Sequence, residues 1–453
     1  NVDIYYLTYI KLSMKSKNNL KKNKMLWDTA KKYIPGGNMF LSKRPERFLP
    51  NYWPTFYKRS KGCYVIDINN KKYTDMIMSI GTNILGYAEP NISKAVIKSI
   101  QNGNMSTLNC IEEQLLAKKL IKMHSWSGGA KFARTGGEAN AIAVRIARAF
   151  NKKTKIAMCG YHGWHDWYLS SNLTKSNSLK NHLLPGLSTD GVPKNLKNTV
   201  YAFNYNDLRS FKKIINKNKI SMVFMEVSRN FAPQNNFLKK IRKITKQKNI
   251  VLIFDECTSG FRQTNGGLHK LYKVNPDIAV FGKSLGNGHP ITAIIGSKKI
   301  MKFAQSSFIS STFWSERSGY VAALKTLEIM KKKKSWLIIT KKGIQIRNKW
   351  KQLAKKYNLD LEISGIPAIS VFNFKSRDSK KYITFITQEM LKNNYLANNM
   401  VYVSIEHSEK VLKKYYNILD YCLKKISLCE NKKLNINNLL ISKIFKENFA
   451  RLN

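Results

Sequence analysis

Apolar residues recur at helical spacing between Leu20 and Ile34, and Pro35-Gly36-Gly37 ends the pattern as a helix stop. From Phe40 to Lys61 prolines and aromatic residues follow no period, which predicts an arm lying over another part of the molecule. Cys63–Ile68 and Lys72–Met76 flank Asn69-Asn70 and predict a short hairpin. Beyond about residue 105, short apolar runs alternate with helical stretches. Strands are expected at 131–134, 155–158, 221–225, 249–254 and 278–281, and helices at Glu112–Lys122 and Glu138–Phe150. That alternation predicts an α/β fold with a mostly parallel sheet covered by helices. A helix over Glu316–Lys331 leads to a second region, where Ile363–Asn373, Ile383–Leu391 and Val401–Ser404 predict strand, helix and strand. The expected division is 1–74 (helix, arm and hairpin), 75–330 (large domain), 331–431 (small domain) and a tail at 432–453.

A chain of 453 residues has room for two or three domains of about 100–200 residues each. Its formal charge of +52 raises the question of nucleic acid. The excess is spread along the whole chain, in Lys-Asn pairs and runs such as Lys331–Lys334, without the interleaved aromatics of a stacking platform. A lysine-rich surface accounts for it and no nucleic-acid partner is expected, although acidic or phosphorylated substrates would suit such a surface. Cys63, Cys110, Cys159, Cys257, Cys422 and Cys429 form no C-x-x-C pair and no finger-like spacing with histidine. Neither a zinc site nor a disulfide framework is expected, and a reducing cytoplasm suits the chain. Tyr5–Ile10 is too short for a bilayer and lacks a small-residue cleavage site, so no membrane partner is expected. Met14-Lys15-Ser16-Lys17 reads like a natural start, and residues 1–13 are expected to be upstream translation outside the fold.

In a doubly wound sheet, ligands bind beyond the carboxyl ends of the strands. Thr135-Gly136-Gly137-Glu138 follows the first of these strands and opens a helix, as a phosphate cradle or as a plain turn. Tyr161 and His162 follow the next, in Gly160-Tyr161-His162-Gly163-Trp164-His165. The aromatic ring can stack on a planar cofactor or fill a packed corner, and the two histidines lack an evident third metal ligand. Glu226 ends strand 221–225, facing a ligand or serving as a cap or ion pair. Asp255 ends strand 249–254. It is costly to bury alone, and fits a helix cap, a magnesium ligand or the partner of a cationic ring nitrogen. Gly282-Lys283-Ser284 follows strand 278–281. A nucleotide P-loop needs glycine five positions before Gly282, where Asp277 stands, so that reading fails. A lysine and an aspartate at the ends of separate strands are what pyridoxal-phosphate enzymes require: an amine for the Schiff base and a carboxylate for the pyridine nitrogen.

Over nearly its whole length the sequence resembles the class-III aminotransferases of fold type I, in particular the branch of the glutamate-1-semialdehyde 2,1-aminomutases. The likeness runs through Ile34-Pro35-Gly36-Gly37, Asn83-Ile84-Leu85-Gly86, Thr135-Gly136-Gly137-Glu138-Ala139 and Tyr161-His162-Gly163. It continues through Phe254-Asp255-Glu256, Gly260-Phe261-Arg262, Gly266-Gly267, Pro276-Asp277, Gly282-Lys283, Gln388–Leu391 and Leu396-Ala397. The resemblance implies a large α/β/α domain, a smaller α+β C-terminal domain and an N-terminal arm. It implies pyridoxal 5'-phosphate as cofactor, Lys283 as the Schiff-base lysine, Asp255 at the pyridine nitrogen and Tyr161 on the ring. Thr135, Gly136 and Gly137 would hold the phosphate. Thr312 would reach the phosphate of a neighbouring subunit, implying a homodimer with shared sites.

Three departures bear on the substrate. The branch carries N-S-P-V-R after the P-G-G motif, its arginine binding a substrate carboxylate; here Arg44 lies near that place in a shifted register, as a clamp or as half of a solvated charge pair with Arg47. The S-A-[FY]-E-A turn of the mutases is shortened to Ala397-Asn398-Asn399-Met400 and lacks the glutamate. Phe313-Trp314-Ser315-Glu316-Arg317 replaces a small G-N-P run. The expectation is an aminotransferase moving an amino group from a small-molecule donor to an aldehyde or ketone, with an intramolecular aminomutase giving 5-aminolevulinate as the alternative.

Overall fold

The computed structural model describes residues 20–182, 186–228 and 230–447, so the readings made for residues 1–13 lie outside the described residues. A helix covers 20–33 and stops in a turn where Gly36 and Gly37 take φ of +78° and +81°. The Trp27 ring lies over Gly37, where a Cβ would sit 2.5 Å from it. Strands β1 (Tyr57–Lys61), β2 (Tyr64–Asp67) and β3 (Lys72–Asp75) form the expected hairpin with one further strand before it.

The large sheet contains β4 (Gly129–Ala133), β5 (Ile156–Cys159), β6 (Val200–Ala202), β7 (Met222–Glu226), β8 (Val251–Glu256), β9 (Ile278–Phe281) and β10 (Thr292–Gly296). Its order is β4-β10-β9-β8-β7-β5-β6. Pairs from β9 to β6 are parallel, and β10 runs antiparallel to both its neighbours. β5, β7, β8, β9 and β10 are buried throughout, as strands covered on both faces must be. Sequence patterning does not announce β10. An antiparallel neighbour needs no crossover helix, and the helix–strand alternation is absent between β9 and β10.

The C-terminal region holds β11 (Leu361–Ile366), β12 (Ile369–Phe374), β13 (Tyr395–Leu396) and β14 (Met400–Tyr402). The single strand expected over 363–373 is in fact the antiparallel pair β11–β12. Pro367 has no amide to donate, and Gly365 takes φ of +90°, so the run folds back on itself. β13 pairs in parallel with β3, joining the N-terminal hairpin and the C-terminal region in one sheet. Helices Ser335–Lys356 and Glu409–Glu430 cover this part of the molecule. The tail then returns to the arm: Lys446 N–H donates to Glu46 O at 2.8 Å and Ser442 Oγ to Pro50 O at 2.9 Å. No helix among the described residues is long and apolar enough to cross a membrane.

Candidate active site

The buried carboxylate of Asp255 ends β8. Its Oδ2 accepts from His162 Nδ1 and from Asn140 Nδ2, both at 2.9 Å, and its Oδ1 accepts from Cys257 N–H at 2.9 Å. Burial by itself would raise the carboxyl pKa. The hydrogen bond and charge of His162, with help from Cys257 and Asn140, outweigh that and hold it below the usual carboxylate range. The other ring nitrogen of His162 lies 3.1 Å from Cys159 O. Both partners of the ring, a carboxylate and a carbonyl, only accept. Each carboxylate oxygen has two lone pairs, so Oδ1 can take one further N–H.

Lys283 begins the turn after β9 with φ of +42°, a conformation unusual for a residue with a side chain. Its Nζ donates to Thr258 Oγ1 at 2.7 Å. Thr258 belongs to the loop after β8, and Arg262 ties that loop to Gly81 through bonds to Thr258 O and Gly81 O.

Thr135 caps the helix Gly136–Asn151 in a reciprocal box with Glu138. Glu138 Oε2 accepts from Thr135 N–H at 2.7 Å, Thr135 Oγ1 at 2.9 Å and Arg134 N–H at 3.1 Å, while Trp314 Nε1 donates to Oε1 at 3.2 Å. Burial opposes ionisation of Glu138, but these donors win and lower its pKa. The first N–H groups of a helix have no carbonyl of their own, which leaves those of Gly136 and Gly137 available to an anion. A Cβ on Gly137 would fall 2.7 Å from His165 Cε1, so only glycine fits there.

Cys257 shows how closely these motifs converge. A Cβ on Gly136 would lie 3.4 Å from its sulfur and one on Gly282 3.2 Å. The phosphate-type turn, the Asp255 strand end and the Lys283 turn therefore meet around one side chain. Tyr161 is half-buried beside them, its N–H donating at 3.1 Å to Oε2 of the buried Glu226. Thr312 is exposed at the start of the turn Thr312–Ser315.

On the arm, Arg44 packs over Gly36, whose missing Cβ leaves room for the guanidinium, whereas Lys43 lines a cavity of about 480 Å³ with Trp53, Tyr57, Ser79, Ile80 and His289. Met78, Ser79, Ile80 and Gly81 all have positive φ, between +49° and +77°. Three consecutive non-glycine residues in that region cost roughly 1–2 kcal/mol each. Asp75 compensates by accepting from Ile77 N–H and Met78 N–H at 2.7 and 3.0 Å.

A strand-end lysine, a strand-end aspartate and a helix-capping glycine turn, set in this sheet, define a fold type I pyridoxal-phosphate transferase. The family model for aminotransferase class-III matches residues 49–404, and the chain belongs to that family. It is 32% identical over 414 residues to a 3-aminobutyryl-CoA aminotransferase of Cloacimonas acidaminovorans (88% of this chain, 96% of that protein). It is 30% identical over 432 residues to a glutamate-1-semialdehyde 2,1-aminomutase of Methanococcus maripaludis (90% and 99%). Among solved structures it is similar to the FumI protein of Sphingopyxis sp. MTA144 in its PLP internal aldimine form, with TM-score 0.81 and 23% identity over 93% of this chain and 100% of that one. An omega-transaminase from Sphaerobacter thermophilus gives TM-score 0.78 and 20% identity over 89% and 97%. These structures share the fold. The protein is a pyridoxal-phosphate-dependent aminotransferase.

The site fits this cofactor: an ionised acceptor for a ring N–H, an amine on a neighbouring turn, and a glycine cradle a Cβ would fill. Sequence reading passed over Asn140, Thr258 and the role of Trp314. Asn140 follows Gly136 by four residues on the same helix face, a signal available in retrospect. Thr258 and Trp314 carried none.

Proposed function

We propose that Lys283 is the residue that binds the cofactor covalently and shuttles the substrate Cα proton, in transfer of an amino group between separate small-molecule donor and acceptor. The observation that carries this reading is the meeting of Lys283, Asp255 and the Thr135 turn around Cys257. Pyridoxal phosphate, when bound, supplies the electron sink for the pair left at the substrate carbon. Asp255, kept ionised by His162, receives the pyridine N–H. The N–H groups of Gly136 and Gly137, with Thr135, bind the phosphate, and Tyr161 lies against the ring. Thr258, which accepts from Lys283 Nζ, would orient that nitrogen, and the lysine amine, when not bound to the cofactor, would accept and return the proton.

We assign Glu226 to the substrate side of the ring. On the arm, Lys43 meets an acidic substituent while Arg44 braces the arm on Gly36. The exposed Thr312 turn suits a homodimer in which it completes the neighbouring phosphate site. Phe313 beside it is 67% exposed and Leu108, in the loop bonded to Arg317 and Ser318 through Asn104, is 81% exposed, an apolar surface that a second copy would cover. The six unpaired cysteines suit a cytoplasmic enzyme.

Transfer between two molecules is preferred to the mutase reaction because the 397–400 turn lacks the glutamate of the mutase pattern and is held in its shortened form. Asn399 Nδ2 donates to Phe372 O at 2.8 Å, and Asn398 Oδ1 accepts from Met400 N–H at 2.9 Å. The 30% identity to an aminomutase keeps that second reading testable. Borohydride treatment of the holoenzyme followed by peptide mass spectrometry should place the pyridoxyl adduct on Lys283. Lys283→Ala should remain folded and lose turnover; an adduct elsewhere, or substantial activity in that variant, overturns the assignment. Formation of 5-aminolevulinate from glutamate-1-semialdehyde without an external donor would favour the mutase.

A further inference from the structure

Trp314 is chemically unlike the small residues it replaces in the family pattern, and it does more than fill space. Its indole N–H donates to Glu138 Oε1 at 3.2 Å, on the carboxylate whose other oxygen gathers Thr135 N–H, Thr135 Oγ1 and Arg134 N–H. The Trp314 backbone is fixed as well. Its carbonyl accepts from Arg134 Nη2 at 3.1 Å and from Tyr320 OH, and Arg134 pairs with Glu316 at 3.3 Å. A capping box already satisfies Thr135 and Glu138 without help. The added donor occupies the oxygen the box leaves over, so the carboxylate can no longer rotate away from Thr135.

We propose that Trp314 is a positioning residue for the phosphate cradle, locking Glu138 so that the backbone N–H groups of Gly136 and Gly137 are held in place for the cofactor's phosphate. Trp314 does not itself touch the phosphate in this scheme; it acts through Glu138 and Thr135. The proposal rests on the reading of residues 135–137 as the cradle.

The test compares ligands with and without the phosphate. Apoenzyme is titrated with pyridoxal phosphate and with pyridoxal, following absorbance, in wild type, Trp314→Phe, Glu138→Gln and the double variant. Circular dichroism and thermal melting check the fold. Trp314→Phe keeps the aromatic packing and removes the donor. It should weaken pyridoxal phosphate about tenfold, the ratio expected for loss of one hydrogen bond to a charged group, and leave pyridoxal unchanged. Glu138→Gln should show the same selective loss. The double variant should bind within about twofold of the weaker single variant, because Trp314 acts only through Glu138. Equal loss for both ligands, no loss, or full additivity overturns the role of Trp314. If Trp314→Phe does not fold, Glu138→Gln alone carries the test, and loss of both ligands alike there overturns it. Wild-type protein that binds pyridoxal as tightly as pyridoxal phosphate removes the cradle, and the proposal with it.

Discussion

Asp255 and Glu256 are consecutive on β8, so their side chains leave opposite faces of the sheet, and each meets a buried histidine at 2.9 Å. The two pairs nevertheless differ in kind. Behind His162 stands an acceptor, Cys159 O at 3.1 Å. Behind His269 stands a donor, Trp126 Nε1 at 3.1 Å, to which its second nitrogen is the acceptor. Asp255 accepts from His162, Asn140 and Cys257 and keeps acceptor capacity on Oδ1. Glu256 is spent on structure: it accepts from Ser259 Oγ at 2.5 Å and from Leu268 N–H, His269 N–H and His269 Nδ1 at 2.9 Å. Those bonds pin the loop that carries Thr258 to Lys283. On the proposed reading one face of the strand serves the chemistry and the other holds it in register.

The largest effect that would sharpen this contrast is on turnover. Asp255→Asn should reduce it by about 100-fold or more, since an electrostatic partner of the reacting system is lost, with little change in melting temperature. Near-normal rates would remove Asp255 from the chemistry. Glu256→Gln should do the reverse. A glutamine must turn one N–H toward groups that are themselves donors, costing about 2–4 kcal/mol of stability in urea unfolding. If this variant matched the wild-type midpoint while losing activity, the division between the faces would fail.

A smaller effect is pH-dependent and confined to the Glu256 face. His124 donates through Nδ1 to Leu120 O at 2.9 Å and accepts at Nε2 from Gly267 N–H at 3.0 Å, so it is neutral, and burial pushes its pKa down from 6.5 to about 4. The unfolded chain takes a proton there below about pH 6.5 and the folded one refuses it. His124 therefore removes about 1.4 kcal/mol of stability per pH unit as pH falls through that window. His124→Gln should flatten the slope measured by urea unfolding between pH 6.5 and 4.5; an unchanged slope would place the sensitivity elsewhere.

Much of the proposed site was legible before folding. Asp255 and Lys283 each follow a short apolar run, and strand ends are where such a sheet binds ligands. The phosphate-type turn was visible as Thr135-Gly136-Gly137-Glu138 because capping chemistry is local. Asn140, Thr258 and Trp314 were not, because their partners lie 115, 25 and 176 residues away along the chain. Arg44 and Lys43 are neighbours on the arm, and periodicity could not say which faced the cavity. The fold shows the same limit. Buried parallel strands betray themselves through unbroken hydrophobic runs, whereas β10 and the split of 361–374 into two strands depend on pairing partners.

By itself, then, the sequence determined the identities and strand-end positions of the residues proposed to react, through patterns read within a few residues. The tertiary structure alone decided that an acceptor stands behind His162 and a donor behind His269, that Trp314 reaches Glu138, and that Lys43 rather than Arg44 faces the cavity. Protonation and contact depend on which donor or acceptor stands opposite, and only the folded chain brings that group into place.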